Sequence, residues 1–179
     1  MLDAVAVLRG QGVGYALVGA MAGSVHGVVR ASLDADAVLS LPLSALTGLE
    51  RTLQAAGFET ELRRGDMDDP IGSLLELRDR FGNRVDLLVG LRGLEDAAFA
   101  RAIEVTFEGE SLRVVSREDF IAMKVFAGGP QDIADAANAL EVAGASFDLA
   151  LLRRLAERFG RATADSLEML LAKSRNSPL

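Results

Sequence analysis

Three aspartates are the residues of this sequence best suited to chemistry. Asp34 and Asp36 precede the apolar run AVLS, and Asp86 interrupts the otherwise apolar run VDLLV. Alternate residues of a strand point to one face, so Asp34 and Asp36 are expected to lie side by side. Adjacent carboxylates repel each other, and a carboxylate in a buried strand is costly without a partner. The simplest partner that all three could share is a divalent cation.

The predicted cation is Mg²⁺ or Mn²⁺. Both ions prefer oxygen ligands, and the absence of cysteine from the sequence disfavours zinc. Such ions stabilise the attacking and leaving oxygens in phosphoryl transfer. The sequence Asp-x-Asp also occurs in ordinary turns, where aspartate bonds to its own backbone. Asp86 is therefore the residue that favours a metal site over a turn.

The segment VGAMAGS lies upstream of these aspartates and is typical of a strand, a glycine turn and the start of a helix. A helix N-terminus presents unpaired N–H groups to an anion. Gly19 would let the backbone approach a phosphate closely. The alternative is that these small residues only allow tight packing of a helix on the sheet.

The elements that must position these residues form a predicted α+β fold. In residues 1–115, the pattern predicts helices over 2–10, 20–29, 46–56 and 95–103, and strands over 15–18, 36–41, 58–62, 73–78, 84–89, 104–107 and 112–115. In residues 116–179, it predicts helices over 117–127, 131–142, 148–159 and 162–173. We therefore expect a mixed β-sheet flanked by helices over 1–115, followed by a C-terminal helical bundle that packs on it.

Composition restricts the class of protein. The chain has 179 residues, of which 50% are hydrophobic and 25% charged, as in globular domains. Its net charge of −7 disfavours a surface that tracks nucleic-acid phosphates, so no DNA partner is expected. The start of the sequence lacks a signal-peptide pattern, and its most apolar run is too short and too polar to span a bilayer. With no cysteine present, a cytoplasmic location and no membrane partner are expected.

Together, the segments LVGAMAGSVHGVVRASLDADAVLS and RVDLLVG resemble the nucleotidyltransferase superfamily. The resemblance is to its small bacterial branch, which includes the minimal nucleotidyltransferases and the abortive-infection toxin enzymes. Gly19, His26 and Arg30 match the branch in order, whereas Ala20 replaces its usual second Gly or Ser. The likeness continues to about residue 143 through REDFIAMK and DIAD, where Gln131 replaces a usual basic residue.

The resemblance implies a nucleotidyltransferase-like fold and an activity. That activity is transfer of a nucleoside monophosphate from a nucleoside triphosphate to a hydroxyl of a tRNA, a protein or a small molecule, with Mg²⁺ or Mn²⁺ and with pyrophosphate leaving. The branch's association with toxin–antitoxin pairs makes a cognate partner protein a further candidate. The implied residues are Asp34, Asp36 and Asp86 as catalytic metal ligands, Gly19, Ala20, Arg30 and Lys124 as nucleotide contacts, and Asp132 as a weaker acceptor-side candidate.

Alternatives remain at several of these positions. Ala20 and Gln131 favour a catalytically degenerate member that binds a nucleotide or a partner. Lys124 could instead extend out of an apolar helix, and Arg30 could cap its own helix. His26 could be a general base, but a position within a helix favours a structural role.

Overall fold

The structure is a computed structural model that describes residues 1–28, 34–143 and 147–176. Arg30, one of the predicted nucleotide contacts, lies outside the described residues. The helices are α1 (Leu2–Gly10), α2 (Gly19–Val25), α3 (Leu46–Ala55), α4 (Ala97–Arg101), α5 (Arg117–Ala127), α6 (Pro130–Ala143), α7 (Leu149–Phe159) and α8 (Arg161–Asn176). The strands are β1 (Gly14–Leu17), β2 (Asp34–Ser40), β3 (Glu59–Arg64), β4 (Ile71–Arg78), β5 (Arg84–Leu91), β6 (Ile103–Phe107) and β7 (Glu110–Val114).

The seven strands of the described residues form one mixed sheet in the order β3-β4-β5-β2-β1-β7-β6. The central strand β2 pairs parallel to β5 and antiparallel to β1. Strands β4 and β5 form an antiparallel hairpin, as the sequence predicts. In its turn, the Asp79 carboxylate accepts hydrogen bonds from the backbone N–H groups of Phe81 and Asn83 at 2.8 and 2.9 Å. The predicted α+β class with a mixed sheet is confirmed.

Alternating hydrophobicity determines which way the acidic side chains of the sheet point. In β5, Val85, Leu87 and Val89 are buried in the core, and Arg84 and Asp86 alternate with them. A strand shifted by one residue would put Asp86 in the core and expose the leucine and valines. Burial of the apolar set therefore holds the charged set on the opposite face of the sheet.

The C-terminal helical region begins at α5. The Ser116 hydroxyl caps α5 by accepting a hydrogen bond from the backbone N–H of Asp119 at 3.1 Å, and the helix ends at Gly128, whose φ is 70°. The Phe120 ring of α5 lies 5.5 Å from the ring of His26, which follows α2. Helix α5 therefore joins the helical region to the part of the chain that precedes β2. The division of the chain at residue 115 stays a prediction.

Several predicted boundaries differ from the structure, and those of α2, α4 and β2 bear on the candidate site or on the sheet. Helix α2 ends at Val25 rather than at residue 29, because Gly27 has a φ of 89° and cannot continue a right-handed helix. Helix α4 has five residues, because Ile103 already pairs with Val114 in the sheet. Strand β2 begins at Asp34, two residues earlier than predicted, so that both of its aspartates belong to the strand. In the described parts of the chain, no helix has the length and apolar character needed to cross a membrane.

Candidate active site

Asp34, Asp36 and Asp86 lie on one face of the sheet, on two adjacent strands. In the parallel pairing of β2 with β5, Asp36 is directly opposite Asp86, and Asp34 is opposite Arg84. Paired residues of neighbouring strands project to the same side, as do alternate residues within β2. The side chains of Asp34 and Asp86 are 40% and 14% exposed, respectively. The structure thus puts on one face of two adjacent strands aspartates that are about fifty positions apart in the sequence.

The start of α2 lies against Asp36. The backbone N–H of Val18 donates a hydrogen bond to the carbonyl of Asp36 at 2.9 Å. Gly19 follows with a φ of 60°, and a Cβ at this position would overlap the Oδ2 atom of Asp36. Only glycine combines this left-handed backbone with the absence of a side chain. The glycine turn therefore allows the first turn of α2, including Ala20, to sit beside the carboxylate pair.

Arg84 is a partner of the carboxylates that the sequence interpretation missed. Its Nη2 atom lies 3.0 Å from Oδ2 of Asp86 and 3.8 Å from Oδ2 of Asp34. The hydrogen bond and charge of Asp86 raise the pKa of Arg84 above its usual value, and the charge of Asp34 adds to the effect. The signal was present in the sequence RVD, since residues two apart in a strand share a face. A protein side chain thus compensates part of the charge that was assigned to a cation alone.

Glu76 is a fourth carboxylate on this face, and it too was missed. It lies on β4 directly opposite Asp86, and its Oε1 atom is 3.5 Å from Nη1 of Arg63. The hairpin register could have identified it. Because Arg78 pairs with Arg84 across the turn, the residues two positions further along each strand must also pair.

Comparison with known proteins identifies the fold. No protein-family model matches the sequence, and no curated protein matches it. The solution structure of the antibiotic-resistance factor ANT(2'')-Ia is similar, with a TM-score of 0.61 and 16% identity over 96% of this chain and 94% of that chain. The crystal structure of ANT(2'')-Ia in complex with adenylyl-2''-tobramycin has a TM-score of 0.55 and 18% identity over 97% of this chain and 93% of that chain. The crystal structure of an antigenic nucleotidyltransferase-like protein from Paracoccidioides brasiliensis has a TM-score of 0.54 and 18% identity over 96% of this chain and 86% of that chain.

The chain has the nucleotidyltransferase fold. The resemblance inferred from the sequence motifs is confirmed at the level of the fold.

The acidic face of this nucleotidyltransferase fold has a suitable set of donors for Mg²⁺ or Mn²⁺. Asp34, Asp36 and Asp86 offer only oxygen atoms, which both ions prefer. Within residues 1–28, 34–143 and 147–176, however, no group of three or more His, Cys, Asp or Glu side chains is gathered closely enough to hold a metal ion. The donors fit the ion chemically, and their carboxylates would have to converge to bind it.

A cavity on the sheet lies away from the candidate site. A cavity of about 340 Å³ opens near Leu39 and Gly90, at the far ends of β2 and β5. Asp34 is at the opposite end of β2, so this cavity does not include the aspartates.

Lys124 and Asp132 lie together in the helical region of the fold. The Lys124 Nζ atom is 2.7 Å from Oδ1 of Asp132 and 2.9 Å from Oδ2 of Asp135. Lys124 is only 9% exposed, so it does not extend into solvent as the alternative interpretation required. Gln131, which replaces a usual basic residue, donates a hydrogen bond to Asp135 at 2.8 Å.

His26 is a buried part of the framework. It follows the last residue of α2 rather than lying within the helix, and it is 3% exposed. Its Nε2 atom is 2.9 Å from the carbonyl oxygen of Val115. Burial lowers the pKa of His26, which favours the neutral ring. These contacts favour the structural role over that of a general base.

Proposed function

We propose that the chain transfers a nucleoside monophosphate from a nucleoside triphosphate to a hydroxyl group of a small molecule. The observation that carries this proposal is the register of β2 and β5. It puts Asp36 beside Asp86 and puts Asp34 on the same face, with the start of α2 against Asp36. The fold, shared with nucleotidyltransferases, supports the same reaction.

In the proposed reaction, Asp34 and Asp36 hold the divalent cation, and Asp86 contributes the third carboxylate. When bound, Mg²⁺ or Mn²⁺ neutralises phosphate charge and polarises the α-phosphate. Asp86 accepts the proton of the acceptor hydroxyl. A bond forms between the acceptor oxygen and the α-phosphorus, the bond from that phosphorus to the oxygen bridging to the β-phosphate breaks, and pyrophosphate leaves.

The remaining predicted residues would hold the triphosphate. The backbone at Gly19 and Ala20 can approach phosphate oxygens, and Ala20 retains the N–H group although it lacks a polar side chain. Arg30 and Lys124 would supply positive charge. Asp132 holds the Lys124 ammonium group by an ion pair, and it remains the weaker candidate for a contact on the acceptor side.

A small molecule is the acceptor class that the charges favour. Glu61 pairs with Glu76, and Glu76 pairs with Asp86, so a row of acidic residues crosses three strands on the face of the site. This row would repel the phosphates of a tRNA acceptor. ANT(2'')-Ia is described with adenylyl-2''-tobramycin, so a small molecule receives the nucleotide in that protein. A protein acceptor or a toxin–antitoxin partner has no comparable support.

A second function is favoured by Arg84. Its guanidinium already lies against Asp86 and Asp34, and the described carboxylates are not gathered around a metal position. A chain that binds a nucleotide or a partner without catalysis would have the same arrangement. Ala20 and Gln131, which replace residues usual in the nucleotidyltransferase branch, also favour this non-catalytic function.

Labelled nucleotides distinguish these functions. The protein is incubated with Mg²⁺, a pool of hydroxylated small molecules and each nucleoside triphosphate, labelled in turn at the α- or the γ-phosphate. Nucleotidyl transfer predicts that the α label enters a new product while the γ label leaves as pyrophosphate, and that Asp86→Asn abolishes both. Transfer of the γ label to the acceptor would contradict the proposal. Nucleotide binding with no transfer of either label would favour the non-catalytic function.

A further inference from the structure

The guanidinium of Arg84 bridges two carboxylates on neighbouring strands. Its Nε atom lies 3.4 Å from Oδ1 of Asp86, and its Nη2 atom lies 3.0 Å from Oδ2 of the same residue. The same Nη2 atom is 3.8 Å from Oδ2 of Asp34. A fork-shaped contact with one carboxylate and a longer contact with the next is a geometry that guanidinium groups favour.

The bridge joins the two strands on which the proposed metal ligands lie. Asp34 begins β2, and Asp86 lies in β5. Without a positive charge between them, the two carboxylates would repel each other across the strand pair. Arg84 is therefore placed to offset the repulsion that a divalent cation would also offset.

Arg84 is able to leave this position without disrupting the core. Its side chain is 36% exposed, so rotation away from Asp86 leaves no cavity behind. Glu76, diagonally across the hairpin from Arg84 on the same face, is a third carboxylate within its electrostatic range, after Asp86 and Asp34. An arginine that moves from Asp86 towards Glu76 would share that carboxylate with Arg63, whose Nη1 atom lies 3.5 Å from it.

We propose that Arg84 is a positioning residue that holds Asp34 and Asp86 together while no metal is bound, and that an incoming divalent cation displaces it. This inference rests on the proposed function, since it takes Asp34, Asp36 and Asp86 as the metal ligands. Arg84 and the cation then compete for the same carboxylate oxygens. Because of this competition, Arg84 lowers the affinity for the metal. In the free protein, however, it keeps the two carboxylates close to each other.

The test measures binding of Mn²⁺ alone, by electron paramagnetic resonance of the free ion. The variants are Arg84→Gln, which removes the competitor, and Arg84→Lys, which keeps the charge and loses the fork. The matched control is Arg78→Gln. Arg78 lies directly opposite Arg84 on the same face and is exposed, and within the described residues it forms no ion pair with Asp34 or Asp86. The variant Arg78→Gln therefore removes the same charge as Arg84→Gln and leaves the contacts of Arg84 with Asp34 and Asp86 in place.

The proposal predicts that Arg84→Gln binds Mn²⁺ about fivefold to tenfold more tightly than the wild type, because a competing charge at contact distance is lost. Arg78→Gln and Arg84→Lys are expected to stay within about threefold of the wild type, since screened or retained charge changes affinity little. Without Mn²⁺, Arg84→Gln should melt at a lower temperature than the wild type, and Mn²⁺ should raise its melting temperature by more. If Arg84 had only a structural role, Arg84→Gln would lower the melting temperature without Mn²⁺ and would leave the affinity for Mn²⁺ unchanged.

The aspartate variant Asp34→Asn/Asp36→Asn separates failure of this inference from failure of the proposed function. If it weakens Mn²⁺ binding while Arg84→Gln binds no more tightly than the wild type or Arg78→Gln, the role of Arg84 is overturned and the metal site stands. If it binds Mn²⁺ as the wild type does, or if no protein in the series binds Mn²⁺, both are overturned.

Discussion

Two charged regions of this molecule differ in the balance of their charges. On the sheet face, Asp34, Asp36 and Asp86 lie close to Arg84, and Glu76 extends the acidic row beside them. Among the described residues of this region, the carboxylates of Asp34, Asp36, Asp86 and Glu76 outnumber the guanidinium groups of Arg84 and Arg63 that contact them, and the side chains are partly exposed. The excess negative charge is what a cation would neutralise.

The second region, which we call the Glu95 cluster, has the opposite balance. Glu95 accepts hydrogen bonds from Arg101 at 2.6 Å and from Arg154 at 2.9 Å, and it lies 3.4 Å from Arg158. Arg101 also pairs at 2.7 Å with Asp119, whose side chain is 2% exposed. The cluster joins the segment before α4 to helices α5 and α7. Every carboxylate here has a guanidinium partner within the chain.

The comparison contrasts residues that stabilise the fold in one region with residues of the same types that are proposed to bind a ligand in the other. In the Glu95 cluster, the guanidinium groups of Arg154 and Arg101 lower the pKa of Glu95 to about 2, so the carboxylate stays ionised. The cluster has no excess of negative charge to attract a cation. In the described part of the sheet face, Arg84 and Arg63 contact a larger number of carboxylates, and substitutions of the aspartates should affect binding more than folding.

The largest expected effect is the loss of activity in Asp86→Asn. If Asp86 acts as proposed, removing its charge should lower the rate of nucleotidyl transfer by about a thousandfold, while the melting temperature should fall no further than in Arg84→Gln, which loses the same contact. Asp165→Asn, at an exposed aspartate of α8 (71% exposed), is the matched control. If Asp86→Asn transferred the nucleotide at the same rate as Asp165→Asn, the proposed role of the sheet face in catalysis would be contradicted.

The next largest effect is expected from Gly19→Ala. The added Cβ would overlap the carboxylate of Asp36 and would also strain a backbone whose φ is 60°. Gly12→Ala separates these causes, because Gly12 has a φ of 65° and no atom within 4 Å of the added Cβ. Both variants should lose about 1 kcal/mol of stability from backbone strain. Only Gly19→Ala should also lose transfer activity, by about a hundredfold, because Asp36 is displaced.

Breaking the Glu95 cluster should affect stability and not nucleotide binding. Arg101→Met would leave Asp119 buried without its charged partner, at an expected cost of about 3 kcal/mol in unfolding free energy. Arg153→Met, which breaks the exposed Arg153–Glu168 pair, should cost less than about 1 kcal/mol. Chemical denaturation measures both. Equal costs for the two variants would show that the cluster does not stabilise the fold as inferred.

The smallest expected effect is the pH dependence that Glu95 contributes. Its pKa is about 2 in the folded protein, well below the usual 4.5 of a glutamate, so the folded state binds the proton less readily than the unfolded state. The stabilisation is present above pH 4.5 and is lost as the pH falls towards 2. Over this window the wild type should lose about 1–2 kcal/mol more stability than Glu95→Gln, after allowance for solvent screening. Parallel pH profiles for the two proteins would contradict this assignment.

Local sequence patterns predicted the elements of the site because their causes are local. The alternation of apolar residues in β5 and the turn residues 79–83 depend on neighbours in the chain. The pairing of β2 with β5 is different, since it joins residues about fifty positions apart. Only the shared need of Asp34, Asp36 and Asp86 for a partner suggested it from the sequence.

The parts that were missed depend on long-range packing or on a detail of register. Arg84 and Glu76 could have been placed on this face from the hairpin register, but the sequence analysis assigned neither of them a role. The end of α2 at Val25 depended on a positive φ at Gly27, which glycine allows but does not require. The ion pairs of Lys124 join two helices, and no spacing within either helix reveals them.

The most direct test of the central claim is a thermal-shift titration with ATP, CTP, GTP and UTP, each with and without Mg²⁺. It compares the wild type with Asp34→Asn/Asp36→Asn. A ligand at about a hundred times its Kd adds about 2.7 kcal/mol, which should raise the melting temperature by about 5–10 °C. The account predicts such a rise for at least one nucleotide, dependent on Mg²⁺ and absent from the double variant. No rise with any nucleotide, or an equal rise in the double variant, would contradict it.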